Sequence, residues 1–204
     1  MSVVERWVLA SGNRHKLAEL QALVAGCGIE LVPQDALGVG AAEETAPTFV
    51  ENAIAKARHA ARQTGLPALA DDSGLAVDGL GGAPGVHSAR FAGPDADDRR
   101  NVEKLLAALA ARPQADRGAA FHCVLVALAA ADDPAPIVAS GVWRGRIVDS
   151  PRGSGGFGYD PVFLVPRLGV TAAELAPATK NRLSHRGRAA RRLRAALTAA
   201  RRGR

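Results

Sequence analysis

Lys16, Lys56 and Lys180, the acidic pairs Glu43-Glu44 and Asp71-Asp72, and the run SGGFGYDP at 154–161 are the residues whose types and spacing suit chemistry. Lys16 follows Ser11-Gly12-Asn13, which joins a short apolar run, RWVLA, to HKLAELQALV, apolar at helical spacing. A strand–turn–helix junction of small residues presents unpaired backbone N–H groups, and these and the helix dipole favour an anion. A cation in the first helical turn is electrostatically unwelcome, so Lys16 predicts a phosphate there. The alternative is an ordinary Asn13 N-cap with a solvated lysine. GxxxxGK[ST] is absent, so this is not a Walker loop.

Carboxylates near a strand end suit a hard cation such as Mg²⁺, which takes oxygen ligands and binds together with phosphates. Asp71 and Asp72 are adjacent, so on a strand they point to opposite faces. A turn acid is the plainer account of the pair, and a solvated lysine the plainer account of Lys56. In SGGFGYDP the glycines expose backbone, Phe157 or Tyr159 could stack on a planar base, and the amides and Asp160 could read its edge. The plainer account is a tight turn with one aromatic in the core. Lys180, His185 and Arg186 surround a helix start, a further anion or carbonyl-oxygen site, or else a basic helix capped by Ser184.

These residues need positioning by a mixed set of elements. PTFVENAIAKARHAARQTG predicts a helix with a Thr48/Glu51 capping box and Gly65 as its stop. PALADDSGLAVDGL predicts two strands joined by a turn at DDSG, and GGAPGVHSARFAGPDA a Gly/Pro-rich loop. DDRRNVEKLLAALAARP predicts a helix ended by Pro113. AAFHCVLVALAAA, IVASGVW and GRIV predict antiparallel strands. A long glycine-rich loop then leads to VFLV. LSHRGRAARRLRAALTAA predicts a last helix with Ala189, Leu193, Leu197 and Ala200 on one face. Consecutive strands among helices argue a mixed-sheet α/β domain rather than a βαβ repeat.

The totals exclude other classes. The chain has 204 residues, 48% hydrophobic and 23% charged, the length of one domain or of two lobes around a shared core. No linker separates independent domains, so residues 1–204 are expected to form a single domain with a basic tail at 198–204. No apolar run reaches membrane-spanning length. MSVVERWVLA lacks a basic n-region, so no secretory signal is expected. Two cysteines make no disulfide framework, and Cys123 lies in an apolar run. A cytoplasmic setting follows. The net charge of +6 is uneven: ten of the 26 Lys and Arg lie from Lys180 onward, where there is no acid. The first 179 residues carry 16 basic against 20 acidic side chains. A solvated helix face explains the basic end better than nucleic acid does, so nucleic acid is not the expected partner.

SGNRHKLAEL, EET…TFVENAIAKA, ADDSGLAVDGLGGAPGVHSAR, GGFGYDPVF and SHRGRA, in this order and spacing, resemble the inosine/xanthosine triphosphate pyrophosphatases, from about Val8 to Leu197. Ser11 stands where that family typically has Thr. The resemblance implies an α/β fold, with a long curved mixed sheet and helices forming two lobes around a central substrate cleft. It implies Mg²⁺-dependent cleavage of ITP, dITP or XTP between the α- and β-phosphates, giving monophosphate and pyrophosphate. Ser11, Gly12, Asn13, Arg14, His15 and Lys16 would hold the triphosphate, assisted by Lys56. Glu44 and Asp72 would bind Mg²⁺, with Asp72 also activating water and Asp71 supporting them. Ser73 would touch substrate. Phe157, Gly158, Tyr159 and Asp160 would receive the base, and Lys180, His185 and Arg186 would complete its recognition. A homodimer is implied. The competing functions are a pyrophosphatase for other modified bases and a non-catalytic nucleotide or nucleic-acid binder.

Overall fold

The computed structural model describes residues 4–202. In chain order the elements are β1 (Glu5–Leu9), α1 (Arg14–Leu23), β2 (Ile29–Pro33), α2 (Phe49–Thr64), β3 (Ala68–Val77), α3 (Asp98–Ala110), β4 (Gly118–Leu128), β5 (Ile137–Ile147), β6 (Phe163–Val165), β7 (Val170–Thr171), α4 (Pro177–Leu183) and α5 (His185–Arg202). Seven strands form one sheet in the order β2-β1-β3-β4-β5-β6-β7. β1 runs parallel to β2 and to β3, with Trp7 opposite Leu31 and Val8 opposite Ala68. β6 is antiparallel to β5 and to β7, with Ile147 opposite Phe163. The fold is α/β with a mixed sheet. No helix among the described residues is long and apolar enough to cross a membrane.

Two compact units share the chain. Among the described residues the first comprises 4–72, 123–141 and 186–202, and the second 73–122 and 142–185, so the divisions fall inside β3, β4 and β5 and after the first residue of α5. In the first unit Leu9, Leu20, Leu69, Leu125 and Leu193 form one apolar cluster. Small residues of α2, Ala53, Ala57, Ala60 and Ala61, pack with Val8, Ala70 and Val126 in another. The second unit is centred on Leu75, Leu105, Phe121, Trp143, Ile147 and Phe163.

The ends of α2 follow its sequence. Thr48 accepts the Glu51 N–H, and Gly65 closes the helix in the left-handed region at φ +68°. Three expectations change. First, no turn forms at DDSG: β3 runs unbroken through Asp71, Asp72, Ser73 and Gly74. Both acids are buried against cations, so neither needs the local N–H groups of a turn. Second, IVASGVW and GRIV are one strand, β5. Gly145 does not break it. A Cβ there would collide with the Phe163 ring and the Leu164 carbonyl, so the glycine admits β6 at close range. Third, Ala200 is exposed, whereas Ala189, Leu193 and Leu197 are buried. β2 and α4 lie in stretches that carried no expectation. The loop at 81–96 contains a 3₁₀ segment, Gly85–Arg90.

Candidate active site

The acids and cations of the first unit assemble around β3. Lys56, mid-helix on α2, is buried, with Nζ 2.7 Å from Asp72 Oδ1 and 3.1 Å from Glu44 Oε1. A solvated lysine is thereby excluded. Burial opposes its charge, but Asp72 and Glu44 outweigh this and raise its pKa. Burial raises the Asp72 pKa against the opposing pull of Lys56, and the Glu44 charge adds to the rise. Asp72 Oδ2 is buried and meets no protein hydrogen-bond partner.

Asp71 is fully buried and serves a different group. Its Oδ1 lies 2.7 Å from Lys16 Nζ, and its Oδ2 lies 2.8 Å from Arg186 Nε and accepts the Cys123 thiol at 3.4 Å. Arg186 also reaches Glu19 Oε2 at 2.6 Å. Burial works against the Asp71 charge, yet Arg186 and Lys16 hold its carboxyl well below the usual range. The same burial, with the Asp71 charge, pushes the Cys123 thiol well up, making it inert. Lys16 thus has an internal counter-ion. Its place in the first turn of α1 does not require a bound phosphate.

The junction before α1 is capped locally. Asn13 Oδ1 accepts the Lys16 N–H at 3.0 Å, and Ser11 Oγ accepts the Asn13 N–H at 3.2 Å. Gly12, Asn13, Arg14 and His15 are exposed. Gly12, Asn13 and Arg14 line a groove of about 430 Å³ with Leu17, Pro33, Asp35 and Ala36.

The second unit holds the glycine–aromatic loop. Its two aromatics divide the expected roles. Tyr159 is buried, its hydroxyl donating to the Ser88 carbonyl at 2.8 Å, while Phe157 is half-buried. Lys180 Nζ lies 5.0 Å from the Phe157 ring centroid and 2.6 Å from Asp160 Oδ2. Asp160 Oδ2 also accepts the Phe157 N–H at 2.9 Å, and Asp98 Oδ2 accepts the Gly158 N–H at 2.6 Å. Two amides expected to read a base edge are therefore held by carboxylates. Gly156, at φ +73°, is a position only glycine fits, since a Cβ would strike the Asp160 carboxylate. His185 stacks on Phe121, ring centroids 4.7 Å apart. Ser73 is half-buried on β3.

His185 and Arg186 thus part company: the imidazole packs with Phe121 and the guanidinium joins Asp71 and Glu19. Glu19, Phe121 and Asp98 had no place in the sequence reading. The i, i+3 spacing of Lys16 and Glu19 was the available signal for the first. Nothing local marks the other two.

The oxygen donors fit a hard cation. Asp72 offers a buried oxygen without a protein partner, and Glu44 stays part-exposed at 29% of its side-chain surface. Mg²⁺ commonly takes one or two carboxylates and completes its shell with water and phosphate oxygens, which matches two acids rather than an all-protein cage.

Comparison with known proteins agrees on one family. The model of the Ham1 family matches residues 7–196. The dITP/XTP pyrophosphatase of Methylococcus capsulatus is 61% identical over 183 residues, 90% of this chain and 91% of that protein. That of Yersinia pseudotuberculosis is 60% identical over 186 residues, 91% of this chain and 94% of that protein. A Ham1 protein structure from Coxiella burnetii superposes with a TM-score of 0.89 at 53% identity, covering 96% of this chain and 99% of that one.

Proposed function

As the chain belongs to the Ham1 family, we propose that it hydrolyses non-canonical purine nucleoside triphosphates, dITP, ITP and XTP, to the monophosphate and pyrophosphate. The observation that carries this reading is Asp72, with one oxygen on Lys56 and the other buried without a protein partner.

Asp72 is the base in this reading. Its pKa, raised by burial, brings it nearer the working pH, and Lys56 fixes its orientation for proton removal from a water. Lys56 and Lys16 supply positive charge against the phosphates, whose negative charge grows as water attacks. Glu44 and Asp72 would hold Mg²⁺, which when bound would supply charge neutralisation on the phosphates and lower the pKa of a bound water. Gly12 to His15 are exposed, and with the half-buried Ser11 they would offer backbone and side-chain donors to the outer phosphates. Phe157 offers a half-buried ring face for the base. Lys180, oriented by Asp160, offers a donor to a 6-oxo group, which hypoxanthine and xanthine have and adenine lacks. Arg186 acts at one remove, holding Asp71 charged beside Lys16. A homodimer working on the cytoplasmic nucleotide pool completes the proposal.

One panel tests it: purified protein with Mg²⁺, the common and deaminated (d)NTPs, and separate assays for phosphate and pyrophosphate. Pyrophosphate from dITP and XTP with little from ATP is expected. Orthophosphate as the sole inorganic product, or binding without turnover, rejects the reading. Light scattering distinguishes dimer from monomer.

A further inference from the structure

Glu44 lies in a segment, residues 39–48, that forms no helix or strand. A carboxylate meant to meet Asp72 and Lys56 needs its backbone held, because an untethered loop loses that position to entropy. One face of α2 supplies the tether. Asn52, Lys56 and His59 stand at i, i+4 and i+7, so their side chains share that face. Asn52 is completely buried. Its Oδ1 accepts the Ala46 N–H at 3.0 Å, and its Nδ2 donates to the Ala46 carbonyl at 3.1 Å. Lys56 takes the Glu44 carboxylate at 3.1 Å. His59 Nε2 meets the Gly40 carbonyl at 3.1 Å, which makes that nitrogen the donor. The three contacts fall in chain order, residue 40 under His59, residue 44 under Lys56 and residue 46 under Asn52.

We propose that Asn52 and His59 are positioning residues for the reaction. They lay the segment 40–46 along α2 so that Glu44 arrives beside Asp72 with its backbone already ordered. The inference rests on the proposed triphosphate hydrolysis, in which Glu44 is a cation-holding acid. Asn52 is suited to the task because a single side-chain amide satisfies both polar groups of one residue, as a neighbouring strand would. No aliphatic side chain of similar size does this, and Asp would place a carboxylate against the Ala46 carbonyl.

The test uses Asn52→Ala, Asn52→Asp and His59→Ala in the full chain, with two readouts. Hydrogen exchange reports the tether directly. In Asn52→Ala the Ala46 amide is expected to exchange at least about tenfold faster, while amides of β3 and β4 keep wild-type protection. His59→Ala, at a half-buried position, leaves the Ala46 bonds in place and guards against a variant that fails to fold. Kinetics report the consequence. The Mg²⁺ concentration for half-maximal dITP hydrolysis is expected to rise about three- to tenfold in Asn52→Ala and His59→Ala, as one or two hydrogen bonds of ordering are lost. At saturating Mg²⁺ the nucleotide KM stays within about twofold. Asn52→Asp, which keeps the acceptor and loses the donor, is expected to fall between wild type and Asn52→Ala in exchange. Unchanged Ala46 exchange in Asn52→Ala, or a normal Mg²⁺ requirement in both Asn52→Ala and His59→Ala, overturns the proposal. Wild type that releases no pyrophosphate from dITP or XTP overturns the functional reading instead.

Discussion

Asp72 and Lys56 illustrate how burial makes a fixed pair of two ordinary residue types. Either side chain in water would be unremarkable. Together, buried and 2.7 Å apart, they form an oriented pair with one oxygen left over. In the proposed reading, Asp72→Asn removes the proton acceptor and weakens the cation site at almost constant volume. Turnover is expected to fall at least about tenfold, or roughly 1.4 kcal/mol of barrier, with nucleotide binding partly kept. Single-turnover kinetics with dITP, alongside equilibrium binding, separates the two effects. His122 gives a second prediction at this scale. Burial, and then the Arg144 charge, lower its pKa below the ordinary 6.5. The unfolded chain therefore takes up a proton near pH 6.5 that the folded protein refuses until lower pH. Stability falls as pH drops from 6.5 towards the folded pKa and is unaffected above 6.5. His122→Gln lacks this proton, so its urea midpoint is expected to gain on wild type between pH 8 and pH 5.5. A constant difference between the two proteins across that range contradicts the assignment.

At the scale of elements, the glycine loop and α5 carry the clearest consequences. Gly156 combines a left-handed backbone with the nearness of the Asp160 carboxylate, which also holds Lys180 and the Phe157 amide. Gly156→Ala is expected to displace that acid and raise KM for dITP several-fold. The loop lies at the surface of the second unit, so circular dichroism should show the secondary structure unchanged. For α5, the arginines turn out to be local staples. Arg194 donates to the Leu23 carbonyl at 3.5 Å, near the end of α1, Arg192 donates to Ser140 at 2.7 Å, and Arg201 reaches the Cys27 carbonyl and Glu5. Deleting residues 198–204 removes only the last of these. The expected result is wild-type kcat/KM and a stability loss of about 1 kcal/mol, read as a lower melting temperature. A large loss of kcat/KM would place the tail in catalysis.

For the molecule as a whole, the proposed function assigns phosphate binding to cations and acids of the first unit and base recognition to a ring face and a lysine of the second. Lys180→Ala and Arg186→Ala separate them. In the proposed reading Lys180 donates to the 6-oxo group that hypoxanthine and xanthine carry and adenine lacks. Its loss is expected to cost roughly 1–3 kcal/mol of preference for ITP over ATP, mostly by lowering kcat/KM for ITP. Arg186 shares the buried Asp71 charge with Lys16, so its removal leaves that carboxylate with one of its two cations and is expected to cost up to about 3 kcal/mol of stability. In Arg186→Ala, ITP and ATP are expected to decline together. Loss of ITP preference in Arg186→Ala with normal stability would return that guanidinium to base recognition.

Local chemistry was legible in the sequence. The Asn13 and Thr48 caps, the Gly65 stop, the apolar stripe of Ala189, Leu193 and Leu197, and the motif order that announced the family all depend on neighbours within a few residues or on family pattern. The partners of buried charges were not legible. DDSG has the composition of a turn, and only Lys16, Lys56 and Arg186, from three other elements, make it a strand interior. Gly145 reads as a break until Phe163 is known to cover it. Arg186 follows His185 by one residue, yet the tertiary structure sends it 115 positions back along the chain to Asp71. A charge's environment is set by what packs against it, and that comes from distant sequence. Caps and apolar periodicity were therefore decided locally, while ion pairing, and the choice of which aromatic is core and which stays half-buried, belonged to the fold.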